Sequence, residues 1–291
     1  MRKAIAITFS NRYDYIDKCF ESLSKNNLSG YDLWFFVDVV GSIGAIEYLA
    51  SKHGLPKAVY VGASHPLNAS GNIHRTKTIL FDKCNYDFVL YLDDDTILAK
   101  SFVSLHTKLL EWGIAKWDNI GFIGCWNGWA IDKEKKQNEL NHVYANANTS
   151  MTCGMTKKCW DGVKEEMYYY EKEILPYNYA NRPLAKENRD KLYLGCPTQY
   201  IENSVPDLLD LRTAVEGMLT SWHIGQDIVL GAIAVKKGWS GLTTVVTRCT
   251  NIGAIGEHST PESWDTAFLK TIVLDQFDED ELITEFNLIT K

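Results

Sequence analysis

The chain has 291 residues, of which 45% are hydrophobic and 23% are charged, and its formal net charge is −7. This composition excludes a disordered chain, and no stretch approaches the roughly 18–20 apolar residues that a membrane span needs. The length allows one large α/β domain or two small ones. Because the apolar run 4–7 is too short for the core of a signal peptide, we expect a cytoplasmic protein without a transmembrane anchor.

The acidic charge is concentrated near the C-terminus. Residues 257–291 contain nine acidic and two basic residues, so the remaining 256 residues are neutral. The net charge therefore does not exclude a nucleic-acid partner, although no basic cluster favours one. The seven cysteines form no CxxC pair, which is typical of reduced thiols.

Strand-like and helix-like patterns alternate from the N-terminus onward. The strand patterns are, in chain order, KAIAITFS, YDLWFFVDVV, KAVYVGAS, YDFVLYLDDD and NIGFIGCWN. The helical patterns between the first four of them are NRYDYIDKCFESLSK, IGAIEYLASKHG and ASGNIHRTKTILFDKC. This alternation predicts an α/β fold with a parallel or mostly parallel sheet covered by helices on both faces.

Polar residues follow four of the predicted strands. They are Asn11 and Arg12, Asp38, Asp93–Asp95, and Trp126 with Asn127. In open α/β sheets, ligands bind beyond the carboxyl ends of the strands, which meet at one edge. We therefore expect these four strand ends to contribute to one crevice.

The second half of the chain is less regular. Residues 132–215 show weak periodicity and many Lys and Glu residues, and we interpret them as an inserted segment. Order returns with a helical pattern, GQDIVLGAIAVKKG, and a strand pattern, LTTVVTRC. The acidic tail, residues 261–291, is predicted to form one or two amphipathic helices.

Three consecutive carboxylates, Asp93, Asp94 and Asp95, end the fourth predicted strand. They repel one another unless a cation compensates them. Mg²⁺ and Mn²⁺ bind carboxylate oxygens and complete their shell with water and phosphate oxygens. The pattern thus indicates a divalent cation and a diphosphate substrate; the alternative is an exposed turn or a helix N-cap.

Six segments together resemble the GT-A-fold glycosyltransferases, including bacterial and phage family 2-like and N-acetylglucosaminyltransferase I-like enzymes. The segments are ITFSNR, Asp38, the triple aspartate, GFIGCWNGW, SWHIGQDIVLGAIAVKKGW and CTNIGAIGEHST. The resemblance implies a Rossmann-like, mixed, mostly parallel sheet flanked by helices. Within this one domain, it implies that residues 1–131 bind the nucleotide sugar, whereas residues 132–215 and the tail match no segment of the family, and we interpret 132–215 as lying on the acceptor side. Residues 216–260 would then carry the catalytic base and a metal loop, followed by the tail 261–291.

The resemblance also implies ligands for a metal ion. Asp95 would bind the metal directly, Asp93 would assist, and His258 would be a further ligand, with His223 as a competing candidate. An imidazole in an oxygen-lined site favours Mn²⁺ over Mg²⁺.

Further roles follow from the same resemblance. Asp227 would be the general base that deprotonates the acceptor hydroxyl, although Gln226 stands where the family often has Glu; the alternative for Asp227 is a helix cap. Residues expected to contact the nucleotide sugar are Ser10, Arg12, Asp38, Arg75 and Asp94. Residues expected to contact the sugar or acceptor are Trp126 and Asn127. Trp126 and Trp129 could form an aromatic platform for a sugar ring, and core packing is the alternative for both.

A helix that starts near GNIHRTK supplies further cations. His74, Arg75 and Lys77 could reach a diphosphate, helped by the helix N-terminus. A solvated helix face is the alternative for these three side chains.

Together these features predict a metal-dependent, inverting glycosyltransferase with a nucleotide-sugar donor, which the resemblance suggests is UDP-linked. Two acceptors stay open, a glycan and a hydroxylated nucleic-acid base. A sugar nucleotidyltransferase is less favoured because TFSNRYDY contains no glycine where such enzymes carry a glycine-rich loop. A catalytically inactive module that binds nucleotide sugars is a further alternative.

Overall fold

The computed structural model describes residues 1–126, 139–146, 152–177, 186–206, 225–253 and 278–289. Its strands are β1 (Lys3–Phe9), β2 (Tyr31–Val37), β3 (Ala58–Gly62), β4 (Phe88–Asp93), β5 (Thr96–Leu98), β6 (Ile120–Gly124), β7 (His142–Asn146), β8 (Cys153–Thr156), β9 (Ser240–Thr244), β10 (Cys249–Asn251) and β11 (Asn287–Leu288). Its α-helices are α1 (Tyr13–Leu23), α2 (Ile43–Lys52), α3 (Asn68–Lys77), α4 (Phe102–Lys116), α5 (Lys157–Glu173), α6 (Lys186–Gly195) and α7 (Gln226–Lys236). A π-helical turn, Thr78–Lys83, prolongs α3, and a 3-10 helix covers Asp278–Leu282.

Nine of the described strands form one sheet, in the order β11-β7-β9-β6-β8-β4-β1-β2-β3. Parallel pairs join β1 to β2 and β4, β2 to β3, β6 to β9, and β7 to β11. Among the described pairs of this sheet, β8 runs antiparallel to both of its neighbours, β4 and β6, and β7 runs antiparallel to β9. The prediction of a mixed, mostly parallel α/β sheet is confirmed. β5 and β10 form a separate antiparallel ribbon.

Two hydrophobic layers cover the two faces of the sheet. Alternate residues of β1 face opposite layers, because successive side chains of a strand point to opposite sides. Ile5 and Ile7 pack with the apolar residues of α1, α2 and α4, whereas Ala4 and Ala6 pack with those of α5 and α7. Burial on both faces explains why the strand patterns are almost continuous apolar runs.

The described part of residues 132–215 contributes to the main sheet. β7 and β8 are strands of it, and α5 covers one face through buried residues such as Trp160. β8 has only four residues, all buried, so it carries no alternating pattern that a sequence reading could detect. Gly154 of this strand lies under the Phe88 ring, where a Cβ would be 2.0 Å from a ring carbon. The acceptor-side role of this segment stays a prediction.

The end of the chain is joined to the sheet by β11 and by a buried ion pair. Nε of Arg248 lies 2.8 Å from Oδ2 of Asp280, and Nη2 lies 2.7 Å from Oδ1. Within its described residues, 278–289, the tail is a 3-10 helix and a short strand where the sequence predicted α-helix, because pairing with β7 and Arg248 holds it. None of the described helices is both long enough and apolar enough to span a membrane.

Candidate active site

The carboxyl ends of β1, β2 and β4 lie side by side at one edge of the sheet. Thr8 of β1 pairs with Asp93 of β4, and the parallel register of β1 with β2 extends to their last residues. The residues that follow these two strands are Ser10 and Asp38. The predicted convergence of the strand ends is therefore confirmed for β1, β2 and β4.

Arg12 lies among the carboxylates that end β4. Its Nη1 is 2.8 Å from Oδ2 of Asp95, and its Nη2 is bonded to Oδ1 of Asp94. The Arg12 side chain is 29% exposed, whereas Asp94 and Asp95 are buried. Oδ2 of Asp94 is also buried and accepts no hydrogen bond from a described residue. One guanidinium thus faces three consecutive carboxylates.

A second element reaches this cluster from the C-terminal half of the chain. β10 pairs with β5, directly after the aspartates, and thereby brings Asn251 beside Asp95. Nδ2 of Asn251 donates a hydrogen bond to Oδ1 of Asp95 at 2.8 Å. The backbone N–H of Gly253 donates to Oδ1 of Asn251 at 2.7 Å, and a Cβ at residue 253 would lie 2.1 Å from Oδ2 of Asp95. Only glycine fits at this position, and the sequence reading did not identify the contact of Asn251.

The pKa values of two of the aspartates at the end of β4 are raised. Burial, together with the charges of Asp95, Asp94 and Asp227, raises the pKa of Asp93 to about 7 against the opposing effect of Arg12. Burial also raises the pKa of Asp94 to about 6, although Arg12 lowers it. Positive charge is therefore in deficit at the strand ends.

These pKa values predict that the metal-free protein loses stability as the pH rises from about 4 to 7. A carboxyl whose pKa is raised on folding binds its proton more tightly in the folded state, so deprotonation in this window favours unfolding. Replacing Asp93 by asparagine should therefore raise Tm at pH 8 by a few degrees and flatten its pH dependence. The measurement is thermal unfolding in EDTA at several pH values. An equal fall in Tm with pH for the wild type and Asp93→Asn would contradict this prediction. The control is Asp14→Asn, which removes an exposed carboxylate.

Asp227 lies in the first turn of α7, close enough to the cluster for its charge to raise the pKa of Asp93. A Cβ at residue 225 would lie 2.4 Å from Oδ1 of Asp227, so Gly225 leaves room for the carboxylate. The structure thus places the predicted base near the predicted metal ligand.

Lys77, at the end of α3, lies between these acidic groups and is only 3% exposed. Its Nζ is 3.2 Å from Oε1 of Gln226 and 4.9 Å from the centre of the Tyr91 ring. Burial lowers the pKa of Lys77 to about 8, against the charges of groups that include Asp227 and Asp93. The alternative of a solvated helix face is wrong for Lys77, because its side chain is buried and contacts Gln226 and Tyr91.

Asp38 and Arg75 lie toward β3. The backbone N–H of Val39 donates to Oδ1 of Asp38 at 2.6 Å, and that of Leu67 lies 3.3 Å from both carboxylate oxygens. Nη1 of Arg75 donates to the carbonyl oxygen of Gly62 at 3.0 Å, so this guanidinium binds the end of β3. Their nucleotide contacts stay predictions.

His74 and Trp126 are buried in the hydrophobic layers. Nε2 of His74 lies 3.1 Å from Oε2 of Glu171, and burial lowers the pKa of His74 to about 4. Trp126, 5% exposed, packs in the layer that contains α4. A solvated face is therefore wrong for His74, while the sugar contact of Trp126 stays a prediction. Asn127, Trp129, His223 and His258 lie outside the described residues.

The carboxylate cluster fits a divalent cation chemically. It has excess negative charge, and the buried Oδ2 of Asp94 lacks a hydrogen-bond donor among the described residues. The same residues contain no group of three His, Cys, Asp or Glu side chains that is arranged to hold a metal ion unaided. A cation here would take few ligands from the protein and complete its shell with water and phosphate oxygens, as Mg²⁺ commonly does.

Comparison with known proteins finds similarity only at the level of structure. No family model and no curated protein matches the sequence. The chain is similar to S. aureus TarS 1–349, at 11% identity and TM-score 0.41, over 56% of this chain and 49% of that one. It is also similar to the mannosyltransferase PcManGT from Pyrobaculum calidifontis in complex with GDP-Man and Mn²⁺, at 10% identity and TM-score 0.41, over 55% and 46%.

A third similar structure is glucosyl-3-phosphoglycerate synthase from Mycobacterium tuberculosis in complex with Mn²⁺, UDP and phosphoglyceric acid. The identity is 13% and the TM-score 0.36, over 60% of this chain and 65% of that one. The match therefore spans about half to two thirds of the length of these solved chains.

Proposed function

We propose that this chain is a metal-dependent, inverting glycosyltransferase that moves a sugar from a nucleotide diphosphate donor to a hydroxyl group of a glycan. The observation that supports the proposal most is the group of carboxylates at the ends of parallel strands, at the edge where α/β sheets bind ligands. Asp93, Asp94 and Asp95 form this group, and Asp227 acts on it from α7.

Asp95 and Asp93 are the proposed ligands of Mn²⁺ or Mg²⁺, with His258 as the further ligand that the sequence resemblance implies. A divalent cation bound there would offset the negative charge that develops on the departing diphosphate. Asn251 fixes the Asp95 carboxylate through its hydrogen bond. Such outer partners orient metal ligands and commonly contribute tenfold or more to metal affinity.

Asp227 is the proposed general base. It would accept the proton of the acceptor hydroxyl while that oxygen bonds to the anomeric carbon and the bond from this carbon to the diphosphate breaks. Attack from the side opposite the leaving group inverts the anomeric configuration. Lys77 supplies a buried positive charge near both Asp227 and Asp93. This charge attracts the two carboxylates and would also attract a bound diphosphate.

The proposed donor is UDP-linked because a carboxylate ends β2. Two backbone N–H groups orient Asp38, and its oxygens retain lone pairs that can accept the imide N–H of uracil. Ser10 lies beside it at the end of β1. These two strand ends would bind the nucleoside, with Arg12 and Arg75 as the nearby cations.

The experiment is an assay of nucleoside diphosphate release from a panel of UDP- and GDP-sugars, with Mn²⁺ or with EDTA. Acceptors are oligosaccharides in one arm and duplex DNA with hydroxymethyl bases in the other. We expect Mn²⁺-dependent release of UDP with an oligosaccharide acceptor, no release from Asp95→Asn, and wild-type release from Asp161→Asn on the surface of α5. Transfer to DNA alone would contradict the proposed glycan acceptor. Release of pyrophosphate from UTP and a sugar phosphate would contradict the proposed glycosyl transfer and indicate a nucleotidyltransferase.

A further inference from the structure

Arg12 occupies the carboxylate oxygens that a metal ion would use. We propose that its guanidinium is a resident counter-cation that a divalent metal ion must displace, so that Arg12 lowers the apparent affinity of the cluster for the metal. This inference rests on the proposed metal-dependent function and adds a role for Arg12 beyond donor binding.

Three of the four carboxylate oxygens of Asp94 and Asp95 are engaged by protein groups. Arg12 takes Oδ1 of Asp94 and Oδ2 of Asp95, and Asn251 takes Oδ1 of Asp95. The fourth, Oδ2 of Asp94, is buried. A metal ion that binds Asp95 therefore meets a donor on each carboxylate oxygen, Asn251 on Oδ1 and the positively charged Arg12 on Oδ2, and the two cations repel each other there.

Arg12 is the partner that can leave. Gly253 closes one side of Oδ2 of Asp95, since even a methyl group there would lie 2.1 Å from this oxygen, and Arg12 covers another side. Asn251 is fixed by the β5–β10 ribbon and by the N–H of Gly253. The Arg12 side chain is long and 29% exposed, and it does not cap α1, so its guanidinium can swing away while its carbonyl oxygen stays bonded to the first turn of the helix. The path to Oδ2 therefore leads through the position of the guanidinium.

The two cations compete because they neutralise the same oxygens. A guanidinium bridges two carboxylates with separate N–H groups, whereas an ammonium is a point charge that cannot match both. A site that is competent only when Arg12 has left binds the metal with an affinity reduced by the fraction of competent molecules. Removing Arg12 should thus strengthen metal binding, and lysine should have an intermediate effect.

The test is calorimetric titration of Mn²⁺ into EDTA-cleared, full-length protein without a substrate. We expect Arg12→Gln to bind Mn²⁺ at least about tenfold more tightly than the wild type, with Arg12→Lys between them. Arg2→Gln is the matched control. It removes the same charge at the opposite end of β1, where Arg2 bonds the carbonyl oxygen of Cys84, and its Mn²⁺ affinity should equal that of the wild type.

A second readout is Tm with and without Mn²⁺. Without metal, Arg12→Gln should have a lower Tm than the wild type because its carboxylates lose their counter-charge, and Mn²⁺ should raise its Tm more. Equal or weaker Mn²⁺ binding by Arg12→Gln and Arg12→Lys than by the wild type would overturn the role of Arg12 while leaving the proposed function intact. Absence of Mn²⁺ binding in all the variants and in the wild type would overturn both.

Discussion

Replacing Asp227 by asparagine should lower the rate of sugar transfer by about 10²–10⁴-fold, the usual contribution of a general base. Donor affinity should stay within about twofold, because Asp227 is proposed to contact the acceptor hydroxyl and not the nucleotide. The structure supports this role because Asp227 lies in the first turn of α7 and Gly225 leaves room for its carboxylate. The measurements are kcat for transfer and calorimetric affinity for UDP with Mn²⁺.

The matched control for this substitution is Glu187→Gln. Glu187 is also the second residue of a helix, α6, and is exposed, so the change tests a helix-terminus effect alone. It should leave kcat unchanged. Transfer by Asp227→Asn at half the wild-type rate or more would remove Asp227 from the reaction. Loss of donor binding in the same variant would show that Asp227 contacts the donor.

Replacing Asp280 by alanine should lower the free energy of unfolding by about 3–5 kcal/mol, because it leaves a buried guanidinium without its partner. Arg248 is fully buried, and the two groups form a bidentate pair. Nη2 of Arg248 also donates to the carbonyl oxygen of Leu140 at 3.1 Å, so the pair joins the tail, the β7 region and β10. Urea unfolding monitored by tryptophan fluorescence measures the change.

Two comparisons sharpen this prediction. Glu21→Ala removes an exposed pair between side chains that are 58% and 59% exposed, and it should change stability far less than Asp280→Ala does. The double variant Arg248→Met/Asp280→Leu should recover much of the loss, because an apolar pair avoids the unpaired charge. A single variant as stable as the wild type would mean that the tail does not pack on Arg248.

The strand ends could be predicted from the sequence because they are local patterns. The run that ends in Asp93 is apolar and continuous, and the alternation with helices implies parallel strands whose ends converge. β1 and β2 are likewise mostly apolar runs, and they end at Phe9 and Val37. From these runs the sequence predicts both the sheet and the carboxylate edge.

The contacts around that edge could not be predicted because they join distant parts of the chain. Asn251 reaches Asp95 across 156 residues, and only the β5–β10 pairing brings them together. Lys77 reaches Gln226 across 149 residues, and its local helical pattern fits a solvated face equally well.

Arg12 also has a partner that the sequence pattern does not identify. The sequence predicts a cation near the donor, whereas the structure places its guanidinium on the carboxylates of Asp94 and Asp95. A local pattern identifies the charge, but its partner depends on how β1 and β4 align.

The central claim, that the cluster after β4 holds a divalent cation and a nucleotide diphosphate for sugar transfer, is tested most directly by UDP release from a UDP-sugar in the presence of acceptor. EDTA-treated protein should release no UDP, added Mn²⁺ should restore release, and Asp95→Asn should stay inactive at every Mn²⁺ concentration. Undiminished release in EDTA, or wild-type release by Asp95→Asn, would contradict the claim.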